Sequence, residues 1–273
     1  MKGFCLGNLR RKNPVMALTN NPQTIMQKSL VLPFKRWLAL TFSLMVLLLV
    51  LDPVQLDFHV AGLLYVPGQG FIGEHNVFLE TVLHRQAKYI VMAFFVLTII
   101  CFFASWKVVR LRPWRRQLGY IALAMGVSTA IIPPLKALTE IQCPKDLVVF
   151  GGGEAFVPLL GPLPGITRSG RCWPGGHAAT GFSLLALYFA LRERHPRFAR
   201  VSMVFALAFG GVLSLGRMLQ GAHFLSHNLW TLLIDWTICL VLSRVFLDRY
   251  QAIGTEATSY GSLTRLDYSS GKR

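Results

Sequence analysis

The sequence is poor in acidic residues and in charge as a whole: 12 Asp and Glu stand against 28 Lys and Arg, and 15% of the 273 residues are charged. With 53% hydrophobic residues and a mean hydropathy of +0.48, that excludes a disordered chain and an ordinary soluble domain. Glycine has no three-residue period, no heptad is sustained and no internal repeat is visible, which sets aside collagen, coiled coils and repeat arrays. Five cysteines are too few for a disulfide scaffold. They and the seven histidines show no closed zinc spacing, so neither a metal nor another cofactor is expected. The formal net charge of +16 would suit nucleic acid if the cations formed one patch, but they are dealt out between apolar runs, and no nucleic-acid partner is expected.

What is present is a series of apolar stretches at 37–53, 89–106, 119–138, 177–191, 201–219 and 228–247. Each is near the ~20 residues a helix needs to cross ~30 Å of hydrocarbon. The pattern predicts an all-α, polytopic membrane bundle of about six helices, with Gly210-Gly211 interrupting the fifth. Cations fix the orientation, because Lys and Arg near span ends are retained in the cytoplasm. Seven precede the first run, five lie in 107–118, four in 192–200 and five from Arg244 onward, which leaves seven of the 28 on the other side. Both termini are therefore expected in the cytoplasm, most simply across a bacterial inner membrane. The basic leader and the lack of a small-residue cleavage pattern argue against a secretory signal. Three regions follow: a basic segment over 1–36, a membrane domain over 37–248, and a Ser/Thr/Gly-rich, mobile tail over 249–273.

Of the two outer segments, 54–88 carries aromatics and no strong motif. The other, 139–176, is rich in Gly and Pro, cannot form a span, and is expected to be a structured, functional loop. Trp173 and Trp230 read as interfacial anchors. Ionisable groups near hydrocarbon are costly and ask for a task. Lys136 closes span three, His177 opens span four, Arg217 ends span five, and His223 and His227 lie before span six. The topology puts all five at the outer face, where they form one cationic pocket. Arg holds two phosphate oxygens at once, Lys adds a point charge, and His exchanges protons or attacks as a nucleophile. Gly175 and Gly176 leave backbone N–H groups open at a helix N-terminus. A phosphate is the ligand that uses all of this. His59, His75, His84 and His195 read as surface residues, and Asp235 as a paired structural group.

The elements Lys136-x6-Cys143-Pro144, Pro174-Gly175-Gly176-His177 and Gly216-Arg217-x5-His223-x3-His227 resemble the three-part signature of the type-2 phosphatidic acid phosphatase superfamily. The pattern of that family is Lys-x6-Arg-Pro, Pro-Ser-Gly-His and Ser-Arg-x5-His-x3-Asp. The resemblance covers about residues 90–247. It implies six membrane helices and metal-independent removal of phosphate from a lipid phosphate through a phosphohistidine. It further implies His223 as nucleophile, His177 as the acid that protonates the leaving oxygen, and Lys136 and Arg217 as holders of the phosphoryl oxygens. Substrates of this kind are phosphatidic acid, phosphatidylglycerol phosphate, undecaprenyl diphosphate and the phosphates of lipid A. A phosphotransferase that passes the group to another lipid phosphate is a rival reading. So is a non-catalytic lipid-phosphate binder or transporter.

Three positions depart from the pattern. Cys143 replaces Arg, and Arg168 or Arg171 in the same loop would be substitutes. Gly175 replaces Ser. His227 replaces Asp and leaves the second nitrogen of the nucleophile with a weaker acceptor. Asp146 and Glu154 are candidate substitutes for that Asp, whereas Asp235, about 18 Å further along a helix, is too distant. Cys143 and Cys172 bracket the outer loop, and a disulfide between them would close about 30 residues and contribute roughly 3.5 kcal/mol. Two free thiols is the alternative. Cys101 and Cys239 read as packing residues within spans, and Cys5 as a reduced cytoplasmic thiol.

Overall fold

The structure is a computed structural model and describes residues 33–161 and 170–248. Residues 1–32 of the basic leader, the C-terminal tail, Cys5, Arg168 and the side chain of His84 lie outside the described residues, and the end of the leader, Phe34 to Arg36, already belongs to the first helix. The chain is all-α and polytopic. Helix α1 spans Phe34–Leu51 and α2 spans Val54–Leu63. A small antiparallel pair follows, β1 Tyr65–Val66 with β2 Gly70–Phe71. Wide π-helical turns over Leu79–Gln86 lead into α3, Ala87–Ala104. Then come α4 Arg115–Ala130, α5 Ile132–Thr139, α6 Gly176–Phe182, α7 Leu185–Leu191, α8 Pro196–Leu219 and α9 Leu225–Ser243.

All six apolar stretches are helical. Among the described residues, five helical stretches are long and apolar enough to cross a bilayer, and the sixth, Gly176–Leu191, is shorter. Their apolar faces explain why the chain is an integral membrane protein: Phe42 is 66% exposed, Val50 75% and Ile90 68%, surface that only lipid would cover. Proline sets two helix limits. Pro133 and Pro134 have no N–H to give to the end of α4, so the third span breaks at Ile131. Pro196 occupies the first position of α8, where the missing donor costs nothing.

Helix α8 runs unbroken through Gly210 and Gly211, against the interruption expected there. The two glycines have different jobs. Gly210 is buried where α8 crosses α6, and a Cβ at Gly181 would lie 2.5 Å from the Gly210 Cα. Gly211 faces open space. Close backbone approach through small residues is the usual way membrane helices gain packing without a hydrophobic driving force. Alanines continue the theme, with Ala124, Ala178, Ala179, Ala186 and Ala206 all fully buried. Deeper in the bundle the Tyr120 hydroxyl donates to the Cys239 carbonyl at 2.8 Å. Asp235, expected to be paired, is instead fully buried beside Ser128 and makes no ion pair among the described residues.

Segment 54–88, expected on the outer side and without a motif, forms a roof. Phe58 stacks on Phe224 with ring centroids 5.4 Å apart, and Phe71 and Tyr65 pack on Phe150 at 5.5 and 5.4 Å. This aromatic cluster clamps the turn between α8 and α9. Trp173, expected as an interfacial anchor, is buried against Trp230 at 5.8 Å, so it packs the loop rather than the interface.

Candidate active site

Three chain segments meet under that roof. The first is α5, whose last turn carries Lys136. Its Nζ donates to the Arg171 carbonyl at 2.9 Å, which lays the half-buried ammonium along the loop leading to α6. Glu140, in a left-handed conformation (φ 50°), ends α5 and turns the chain so that two backbone bonds form. Gly170 N–H donates to Glu140 O at 3.1 Å, and Cys172 N–H to Ile141 O at 3.0 Å. A disulfide joins Cys143 to Cys172 beside them, with Cα atoms 5.2 Å apart.

The second segment is the start of α6. Gly175 is its extended N-cap, and its N–H donates to Thr231 Oγ1 at 2.8 Å. Gly176 faces the lysine: a Cβ there would sit 3.8 Å from Lys136 Nζ. His177, one residue on, is half-buried at the same helix end.

The third segment runs from the end of α8 to the start of α9. Arg217, in the last turn of α8, donates through Nη1 to Gln220 Oε1 at 2.8 Å, and Gln220 Nε2 reaches Glu80 Oε2 at 3.4 Å. Gly221 then takes φ 63° directly under the Phe71 ring, a position where a Cβ would meet the ring at 2.3 Å. This turn presents His223 just before α9, with 5% of its surface exposed. His227 follows in the first turn of α9, and the two imidazole centroids are 6.1 Å apart. Phe224 between them is extended (ψ 163°), so the rings are neighbours without sharing a helix.

Electrostatics follow from this enclosure. Burial is the largest effect on His223 and holds its pKa well below 6.5; the positive charges of Lys136 and Arg217 push the same way, as His227 does only when protonated, since burial lowers its own pKa to about 3. The carbonyl of Cys172 opposes them. His223 is thus a neutral imidazole near neutral pH, with fixed cations within electrostatic reach. Neutral is the form a nucleophile needs.

The three departures from the signature have local explanations. Cys143 is occupied by its disulfide and supplies no cation, and the described substitute, Arg171, is exposed and contributes its carbonyl to Lys136. At Gly175 a Cβ would lie 2.7 Å from Asn228 Oδ1 and 3.3 Å from Ala178 Cβ, so neighbouring side chains already fill the space of a serine. Neither Asp146 nor Glu154, the candidate substitutes for the missing Asp, lines the cavity of about 230 Å³ that His227 lines; the carboxylates that do are Asp52 and Asp57, the latter on α2. Asp57 accepts from Ser226 N–H at 2.9 Å and from the Ser226 hydroxyl, and so caps α9 from another helix. Burial raises its pKa above 3.8, and the Ser226 bonds oppose that shift. The Nδ1 atoms of His223 and His227 are both buried without a hydrogen-bond partner.

Sequence reasoning missed Asp57, Glu80, Gln220, Asn228 and Thr231. Two of these, Asn228 and Thr231, were legible in principle as polar residues at i+1 and i+4 from His227 on an apolar helix. Asp57 and Glu80 carried no signal, because their contacts span 169 and 140 residues. Among the described residues no three His, Cys, Asp or Glu are grouped so as to hold a metal.

Comparison with known proteins places this geometry. Residues 117–251 match the PAP2 superfamily. The chain is also 25% identical over 202 residues to the Lipid A 4'-phosphatase of Francisella tularensis subsp. novicida (strain U112), covering 69% of this chain and 87% of that protein. No solved structure matches. Together the domain and the relative support a lipid phosphatase in general.

Proposed function

We infer, from a PAP2 superfamily domain over residues 117–251, that this membrane protein hydrolyses a lipid phosphate through a phosphohistidine at His223. What supports the reading is that Lys136 and Arg217, from two separate segments, lie within electrostatic reach of the buried, neutral His223 imidazole, with His177 next to the glycine that faces Lys136. Lys136 and Arg217 hold the non-bridging oxygens, whose charge grows as the phosphoryl group leaves. A ring nitrogen of His223 attacks phosphorus, the P–O bond to the lipid breaks, and His177 gives its proton to the departing oxygen. Water then attacks the phosphohistidine, returns a proton to His177 and releases inorganic phosphate. The Gly175 N–H, expected to be open to phosphate, is already given to Thr231 Oγ1, which leaves Gly176, beside Lys136, as the glycine facing the approach. In this scheme fixed cations do the work a metal does elsewhere.

The charge distribution supports an active site at the outer, periplasmic face of a bacterial inner membrane, with both termini in the cytoplasm. The regions 1–36 and 249–273 then flank a phosphatase domain over 37–248. The relative's name makes the phosphates of lipid A the first substrates to test, ahead of phosphatidic acid, phosphatidylglycerol phosphate and undecaprenyl diphosphate. A second reading, a phosphotransferase or a non-catalytic binder of the same lipids, draws on the unpartnered Nδ1 atoms of His223 and His227, which leave the nucleophile without a carboxylate acceptor. Phosphate release by the purified protein across this lipid panel, with and without chelator, separates the readings. Hydrolysis that survives chelation supports the first. Label moving only to a second lipid supports transfer, and no turnover on any lipid leaves the binder.

A further inference from the structure

The end of the bundle away from His223 is formed where the chain turns at 105–115, 192–195 and 244–248. Arg115 Nη2 donates to Ser105 O at 2.6 Å, Arg194 Nη1 to Pro113 O at 2.8 Å, and Arg192 pairs with Asp248 at 2.7 Å. Residues 105–116, 192–200 and 244–248 hold ten Lys and Arg against two acids, Glu193 and Asp248. Between the turns lies a cavity of about 310 Å³. Its polar wall includes Arg112, Arg116 and Arg194 together with Glu193, and its apolar wall includes Phe189 and Leu247.

We propose that this cavity binds the phosphate headgroup of an anionic phospholipid, with Arg112, Arg116 and Arg194 as the cationic contacts. Three guanidinium groups and one carboxylate leave it with two net positive charges, which favours an anion. Arg194 is already fixed: besides its bond to Pro113, its guanidinium lies 5.5 Å from the centroid of Trp114, and Trp114 stacks on His195 at 5.5 Å with the rings 13° apart. A guanidinium held in advance loses little freedom on binding and keeps its fork available to phosphate oxygens. The walls select an amphipathic ligand over a free ion. Inorganic phosphate would use only the guanidinium groups, whereas a phospholipid also places its glycerol and chain ends against the half-buried Leu247. Basic pockets between membrane helices at the bilayer surface are suited to such headgroups. A zwitterionic headgroup would press an ammonium against the same arginines, so phosphatidylglycerol is favoured over phosphatidylcholine. The site shares no residue with the phosphatase machinery and does not depend on that reading.

The test uses the full chain purified in detergent and titrated with phosphatidylglycerol or with phosphatidylcholine of the same chain length. Bound lipid is read by native mass spectrometry and the thermal unfolding midpoint is followed in parallel. Phosphatidylglycerol is expected to stay bound and raise the midpoint, and phosphatidylcholine to do neither. The double variant Arg112→Gln/Arg194→Gln is expected to weaken phosphatidylglycerol on the order of 10- to 30-fold while turnover of a soluble phosphate ester is unchanged. Equal affinity in the double variant overturns the proposal. So does loss of the lipid in His223→Ala, which would place it at the catalytic centre. Displacement of the lipid by equimolar inorganic phosphate would make this a free-anion site and also overturn it.

Discussion

The crossing of α6 and α8 joins the helix that carries His177 in its first turn to the helix that carries Arg217 in its last, and Gly181 sets its spacing. An alanine Cβ at Gly181 would lie 2.5 Å from the Gly210 Cα and 2.8 Å from the Gly210 nitrogen, both backbone atoms that cannot swing aside. Ordinary contact between such atoms needs about 3.5–4.0 Å, so Gly181→Ala must part the two helices by roughly 1 Å. Overpacking of this kind typically costs 1–3 kcal/mol of stability. The larger effect is on function, since a misplacement of about 1 Å among catalytic groups costs on the order of 10²-fold in rate. Gly211→Ala is the control: the same substitution one residue from Gly210, where nothing lies within 4 Å, adds a better helix former worth about 0.5–1 kcal/mol. Both variants are purified, and phosphate release and thermal unfolding are measured side by side. Gly181→Ala is expected to lose about two orders of magnitude in kcat/KM with a lowered midpoint, and Gly211→Ala to keep full activity. Wild-type turnover in Gly181→Ala, or equal losses in both, would refute the argument that this crossing positions the site.

Removal of the disulfide by Cys143→Ala/Cys172→Ala, which opens a sequence separation of 29 residues, is expected to cost about 3.5 kcal/mol in the loop-entropy model. The backbone bonds at Gly170 and Cys172 should keep the fold, and reductant should lower the wild-type midpoint but leave the variant unmoved. For His223, a depressed pKa means that between its folded value and about 6.5 the unfolded chain binds the extra proton, so stability rises with pH. That contribution is complete above about pH 6.5 and is lost as pH falls below it, and His223→Gln should flatten the slope of unfolding midpoint against pH relative to wild type. Asp57→Ala removes both bonds to Ser226 at the start of α9 and is expected to cost about 1–3 kcal/mol; Asp57→Asn, which can still accept from the Ser226 N–H, should cost less in the same unfolding assay.

The six apolar stretches were legible because hydrocarbon imposes a length and a composition on any helix that crosses it, independent of partners. Limits were less legible. Gly210-Gly211 looks like an interruption when read along the chain, and only the partner helix reveals that Gly210 is a contact and Gly211 is not. Lys136, His177, Arg217 and His223 could be picked out as candidates from the sequence, since a charged group at a span end stands out against its surroundings. Their support could not. Asp57 sits in a segment with no motif and reaches Ser226 from 169 residues away, and the aromatic roof of Phe58, Tyr65, Phe71 and Phe150 consists of residues that, taken singly, are unremarkable near a membrane. The replacement of Ser by Gly175 also becomes intelligible only when Asn228 and Ala178 are seen to occupy the space.

The central claim is that His223 forms a covalent bond to phosphorus. Purified protein mixed with lipid substrate carrying ³²P in its phosphate and quenched within milliseconds should yield labelled protein that loses its label in acid and keeps it in base, as a phosphoramidate does. The label should appear in the presence of chelator, map to the peptide containing His223 and be absent from His223→Ala. Labelled His223→Ala protein, or wild-type protein that turns over substrate only when Mg²⁺ is supplied, would contradict the phosphohistidine account.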